Sequence, residues 1–215
     1  KPTLAVFADT GHKQIDPAFS PDGNAILFNS LTSSETSFDI YITKKTFNSW
    51  TKPERLSDSI NTSSSDFYAT MTTQKHIYFT RRTKSNDIYK SHFSNNRYQK
   101  AVLLATSINT DGNESNPYIS KNENFIIFFA DYKGGFGDTD LYVSFNKKNK
   151  WSLPINLGAE INSTIGEFCP SIDYSKKLFL FSRTEVVNGK RMDNIYSYPV
   201  KSLNLKKLKK NARWQ

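Results

Sequence analysis

Apolar and polar positions alternate in short runs along this chain, and the runs recur in a fixed order. In residues 39–43, Ile40 and Ile42 alternate with Asp39, Tyr41 and Thr43, the two-residue period of a strand. Asp87-Ile88-Tyr89, Asp140-Leu141-Tyr142 and Asn194-Ile195-Tyr196 match Asp39-Ile40-Tyr41 at steps of 48, 53 and 54 residues. A second signature, Ile60-Asn61-Thr62, Ile108-Asn109-Thr110 and Ile161-Asn162-Ser163, keeps pace with the first at steps of 48 and 53. An aromatic-rich run precedes each Asp-apolar-Tyr, at residues 25–28, 76–79, 125–129 and 178–181. The first unit divides into four strands, 17–20, 25–29, 39–43 and 52–56. They are separated by Pro21-Asp22-Gly23, a Ser/Thr-rich stretch at 32–37 and Phe47-Asn48-Ser49. No helical period is evident before residue 199.

Four short strands per unit of about 40–50 residues predict a blade of a β-propeller. The expected fold is therefore all-β, one propeller domain over residues 1–200. It has four four-stranded repeats at about 14–65, 66–113, 114–166 and 167–200, followed by a basic tail or short helix at 201–215. The last repeat ends after its third strand, and residues 1–6 resemble the outer strand 52–56. The N-terminal strand 1–8 is expected to complete the last blade and remove an open edge. The alternative is the remnant of a fifth, preceding blade.

The turn Ser20-Pro21-Asp22-Gly23, the segment Gly134-Gly135-Phe136-Gly137-Asp138-Thr139-Asp140-Leu141-Tyr142, Trp151-Ser152-Leu153-Pro154 and Glu167-Phe168-Cys169-Pro170 carry a resemblance. They resemble the repeats of the TolB-type, WD40-like propellers of exported Gram-negative proteins. The resemblance spans about residues 14–200. It departs from the pattern in the second unit, where Thr72-Thr73-Gln74-Lys75 replaces Ser-Pro-Asp-Gly. It implies a periplasmic or otherwise exported protein. It also implies a non-enzymatic module of the bacterial envelope that binds a protein or a glycan at the mouth of the central channel. Relatives of the pattern include polysaccharide lyases, so a glycoside hydrolase or lyase using carboxylates at that mouth is the alternative.

Charge changes the picture less than its size suggests. The chain of 215 residues carries 29 Lys+Arg against 20 Asp+Glu, a formal net charge of +9. Residues 201–215 hold six basic residues and no acid, interleaved with Leu203, Leu205, Leu208 and Trp214. The blades are thus nearly balanced, which argues against a specific nucleic-acid partner and leaves contact with anionic surfaces to the tail. The longest apolar run, residues 125–130, is far short of the ~20 residues of a membrane-spanning helix.

Candidate chemistry gathers in one column of the repeat. Three residues before Pro17, Ala69, Pro117 and Pro170 stand Gln14, Asp66, Glu114 and Glu167. Arg81 and Arg183 close the second strands, with Asp131 and Tyr132 on the neighbouring loop. These seven residues, Asp66, Glu114, Glu167, Arg81, Arg183, Asp131 and Tyr132, are the expected ligand-binding set at the channel mouth. The competing reading is that each acid bonds the backbone of the Ile-Asn-Thr/Ser turn beside it, or pairs with a neighbouring Arg. The recurring Asp39, Asp87 and Asp140 read as structural acceptors, because a catalytic group is needed once. Gly134–Gly137 lacks the helix and Lys that a phosphate loop requires. His12, His76, His92 and Cys169 share no metal-ligand spacing, so no cofactor or metal is expected.

Overall fold

The computed structural model describes residues 1–32 and 34–214; residue 33, in the Ser/Thr-rich turn at 32–37, and residue 215, at the end of the tail, lie outside the described residues. The fold class is all-β, of the β-propeller kind. Four blade sheets fall into two compact units, Lys1–Leu103 and Leu104–Gln215, with two blades in each.

In the first unit, blade 1 runs His12–Phe19, Ala25–Thr32, Asp39–Lys44 and Glu54–Arg55, each strand antiparallel to the one before. Blade 2 runs Ser65–Met71, Ile77–Arg82, Asn86–Ser91 and Val102–Leu103 in the same order, with a hairpin of Phe93–Ser94 and Arg97–Tyr98 before its outer strand. In the second unit, blade 3 runs Glu114–Ile119, Phe125–Ala130, Asp140–Lys147 and Ile155–Asn156. Blade 4 has three strands, Gly166–Asp173, Leu178–Val187 and Lys190–Pro199.

The two repeated signatures explain why these segments fold as blades. The aromatic run and the Asp-apolar-Tyr meet across the second and third strands, where a Phe stacks on the Tyr in every blade. The pairs are Phe28–Tyr41, Phe79–Tyr89, Phe128–Tyr142 and Phe181–Tyr196, with centroids 6.0, 6.0, 6.5 and 5.7 Å apart. Such aromatic cross-strand pairs stabilise by roughly 0.5–1.5 kcal/mol beyond burial. The apolar residue between Asp and Tyr points the other way, as the strand period requires. Ile40 packs with Ile60, Ile77 and Phe79 in the first unit, and Leu141 with Ile161, Phe179 and Phe181 in the second.

The Asn of the second signature acts as a piece of strand. Asn61 Oδ1 accepts from the Ile40 amide at 2.8 Å while its Nδ2 donates to the Ile40 and Leu56 carbonyls. Asn162 does the same to Leu141, at 2.8 and 3.0 Å. One buried amide side chain thus satisfies backbone groups where the strand beside the third strand gives way to the turn.

Both chain ends differ from expectation. Residues 1–8 form no strand, so the predicted closing strand is absent and the last sheet keeps three strands. The physical reason is visible at Phe7. Its ring stacks on Phe28 and meets Trp50 edge-on, which ties this segment to blade 1, while Leu4 and Val6 stay exposed. The basic tail folds into a short helix, Leu205–Asn211. Leu203, Leu205, Leu208 and Trp214 pack on the core of the second unit, and Leu153 N–H donates to the Arg213 carbonyl at 2.8 Å. Its Lys206, Lys207, Lys209 and Lys210 face solvent.

Candidate functional site

The acids that the sequence aligned sit at the start of the first strands and are spent on the turn before them. Asp66 Oδ2 accepts from both the backbone N–H and the hydroxyl of Thr62, each at 2.8 Å. Glu114 accepts the same pair from Thr110, at 3.1 and 2.6 Å, and Glu167 accepts from Ser163 N–H at 2.9 Å. All three are fully buried. In blade 1 the corresponding Gln14 accepts from the Asp9 amide at 3.0 Å.

The arginines complete the latch. Arg81 Nε donates to Asp66 Oδ1 at 2.6 Å and its Nη2 to the Ile60 carbonyl at 2.5 Å. Arg183 repeats this on Glu167 and Ile161, both at 2.7 Å. Each guanidinium lies over the blade's stacked pair, 4.6 Å from Tyr89 and 4.6 Å from Tyr196. Burial pushes the Asp66 carboxyl above its ordinary range, against the pull of Arg81 and Thr62.

Blade 3 has Ala130 where blades 2 and 4 have arginine. Tyr132, from the loop that follows, fills the place. Its hydroxyl donates to the Ile108 carbonyl, the equivalent of Ile60 and Ile161, and its ring meets Tyr142 edge-on at 4.8 Å. Burial, with Glu114 nearby, raises the Tyr132 phenol further above its ordinary value. Asp131 accepts from the Asn113 backbone and side-chain amides, both at 2.8 Å. Asp66, Glu114, Glu167, Arg81, Arg183 and Tyr132 thus bond the turns that precede their first strands, while Asp131, which is exposed, bonds Asn113. These are the contacts of the competing reading made from the sequence, in which each acid bonds the turn beside it or pairs with a neighbouring Arg.

The other recurring acids are acceptors too. Asp39 pairs with Arg55, and Asp140 gathers the Phe136 and Gly137 amides at 2.6 and 3.2 Å and Asn156 Nδ2 at 2.8 Å. The glycine-rich loop folds onto Asp140 so closely that a Cβ on Gly135 would lie 2.3 Å from its Oδ2. The loop is a docked turn with its amides already engaged. Among the described residues no group of three His, Cys, Asp or Glu is placed to hold a metal ion.

One column was not predicted. In all four first strands the ladder slips by a bulge, and the residue at the slip is left-handed: Asp16, Tyr68, Asn116 and Cys169, with φ of 54°, 50°, 52° and 52°. None is glycine, so each holds a conformation that costs an L-residue about 1–2 kcal/mol. A bulge bends its strand and re-aims a side chain, and strain of this kind concentrates where a protein does its work. The sequence does carry a signal. Pro17, Pro117 and Pro170 stand inside strands, where proline is confined to edges and bulges.

Within the first unit this column makes a polar cluster. Buried Asn29 donates from Nδ2 to Asp16 Oδ2 at 2.7 Å and accepts from Tyr68 N–H at 3.1 Å. Asp16 is half-buried, and desolvation raises its carboxyl above the ordinary value of 3.8, with Asn29 and Lys13 opposing. In the second unit Cys169 Sγ lies 3.8 Å from Asn116 Oδ1.

No protein-family model matches the chain, and no curated protein matches it. Solved structures do. They include a prolyl endopeptidase, with TM-score 0.55 and 11% identity over 90% of this chain and 25% of that one. They include an α-L-arabinofuranosidase from Fusarium graminearum, with TM-score 0.51 and 10% identity over 89% of this chain and 63% of that one. The Bacteroides ovatus xyloglucan PUL GH43B gives TM-score 0.50 and 8% identity over 86% of this chain and 40% of that one. The chain thus spans a quarter of the endopeptidase and under two thirds of the arabinofuranosidase. At these identities the likeness is one of fold. The relatives in fold are enzymes, glycosidase and peptidase among them. That overturns the expectation of a non-enzymatic binding module of the envelope.

Proposed function

We propose that the chain is a carbohydrate-active propeller that cleaves a glycosidic bond, with Asp16 as its proton donor. The observation that carries this is Asp16 itself. It is the one acid in the bulge column, held half-buried by Asn29 with its carboxyl pushed upward. A glycosidase acid has to be protonated near its working pH; it delivers that proton to the leaving oxygen as the glycosidic C–O bond breaks, a water attacks the anomeric carbon, and the proton the water releases restores the acid. Asn29 orients the carboxyl, and the bulge fixes its direction. The fold likeness to an α-L-arabinofuranosidase and to the xyloglucan GH43B supports arabinofuranosyl and xylosyl glycosides as the first substrates to try.

The Ser20–Gly23 turn and the repeat spacing support, within the same proposal, a TolB-like repeat type and an exported setting. Fractionation of the source cells decides the latter. The enzymatic reading is tested by following sugar release from arabinofuranosyl and xylosyl oligosaccharides. The expected result is turnover by the native chain and a loss of about 10²–10⁴-fold in Asp16→Asn. Asparagine keeps the shape and tolerates left-handed backbone, so the variant stays folded. No turnover by a folded native chain on any of these substrates overturns the reading.

A further inference from the structure

An unassigned feature of the first unit is a cleft between blades 1 and 2, a cavity of about 620 Å³. It is bounded by the turn after His12–Phe19 on one side and by the Phe93–Tyr98 hairpin on the other. The hairpin tip is fixed by left-handed Asn95 and Asn96, with φ of 50° and 57°, the pairing that a tight two-residue hairpin turn demands. Phe93 and Tyr98 meet edge-on at 5.0 Å and line the cleft as its aromatic wall.

The charges in this cleft differ in how they are spent. Lys44 pairs with Glu54 at 3.2 Å, and Arg55 with Asp39 and Asp58. Lys75 and Arg97 have no ion pair among the described residues. Lys75 Nζ rests 5.3 Å over the Phe93 ring, and Arg97 lies on the hairpin beside Tyr98. Asp22, across the cleft, is a fixed acceptor. Ser20 Oγ donates to it at 2.6 Å, and these bonds hold its carboxyl below the ordinary range. The cleft therefore offers an aromatic wall, two cations without an ion pair beside it and an acceptor opposite.

We infer that this cleft binds an acidic saccharide, a uronate-containing chain, as a second site separate from Asp16. A sugar ring lays its C–H face on an aromatic ring, its carboxylate meets Lys75 and Arg97, and its hydroxyls donate to Asp22. A neutral glycan would leave the two cations without a partner, and a simple inorganic anion would leave the aromatic wall unused. The inference shares the glycan class of the proposed function but uses neither Asp16 nor the first-strand column.

Calorimetric titration of the full chain with trigalacturonate, xylotriose and sulfate tests it. Trigalacturonate is expected to bind, and xylotriose and sulfate to bind at least about tenfold more weakly. The double variant Lys75→Ala/Arg97→Ala, and separately Phe93→Ala, should each weaken trigalacturonate about tenfold, and raised salt should mimic the double variant. Asp16→Asn should leave this binding unchanged. Absence of trigalacturonate binding, equal binding of sulfate, or an unaltered affinity in the double variant overturns the cleft site. Binding that persists in a chain without glycosidase activity removes the proposed function and leaves the cleft standing.

Discussion

The turn latches and the first-strand bulges lie two residues apart in sequence, yet they treat charge in opposite ways. At the latches, Asp66, Glu114 and Glu167 are fully buried and each accepts from its own Thr or Ser, with Arg81, Arg183 or Tyr132 closing the neighbouring carbonyl. The arrangement repeats in blades 2, 3 and 4 because each follows the same turn. At the bulges the backbone repeats in all four blades but the side chains do not: Asp16, Tyr68, Asn116 and Cys169 share a conformation and no chemistry. Repetition of a side chain marks architecture. A repeated backbone carrying unlike side chains leaves room for function.

The comparison breaks most readily at Arg183. Arg183→Ala strands the buried Glu167 carboxylate, and a loss of about 3–5 kcal/mol in urea unfolding is expected. Native-like stability would return Arg183 to a role in ligand binding. Tyr132→Phe removes one hydroxyl from a buried carbonyl in blade 3, and should cost about 1–3 kcal/mol, less than the arginine because no charge is left behind. At the bulge the expected effect is one of pH. The folded-state value of Asp16 is raised, so its contribution to stability is fully present below the ordinary value of 3.8 and is lost as pH rises through the folded value. Asp16→Asn has no such dependence. Its unfolding free energy measured against pH should run above that of the native chain once Asp16 ionises, and parallel curves would contradict the assignment. The smallest effect belongs to the cleft. Lys75→Ala and Arg97→Ala are expected to shift stability by no more than about 0.5 kcal/mol, as for surface groups outside any ion pair. A larger change would mean they hold the hairpin rather than await a ligand.

The blades were legible in the sequence because their stabilising contacts are local in the repeat. A Phe stacks on a Tyr across adjacent strands, and an Asn caps the strand beside it, so both recur at fixed spacing. The column of acids was legible for the same reason, but spacing alone does not distinguish a group that faces a ligand from one that faces its own turn. That difference lies in Thr62, Thr110 and Ser163 reaching back to the acid, a contact that only the folded turn creates. Tyr132 taking the place of an arginine was hidden because it comes from a different loop position. The bulges were hidden because left-handed backbone at Tyr68 or Asp16 is set by the ladder slip rather than by residue type, with the strand prolines as the one local trace. Residues 1–8 were misread as a strand because their pattern matches 52–56, while the aromatic contacts of Phe7 with Phe28 and Trp50 decided where the segment went.

Asp16 is the residue on which the proposed glycosidase activity turns. The most direct test is the rate of sugar release from an arabinofuranosyl oligosaccharide, measured from acid to alkaline pH for the native chain and for Asp16→Asn. The account predicts a native profile whose alkaline limb falls as Asp16 ionises, above the ordinary carboxylate range, and a folded variant slower by about 10²–10⁴-fold in which that limb is gone. A variant that keeps the native rate and the native alkaline limb would contradict it.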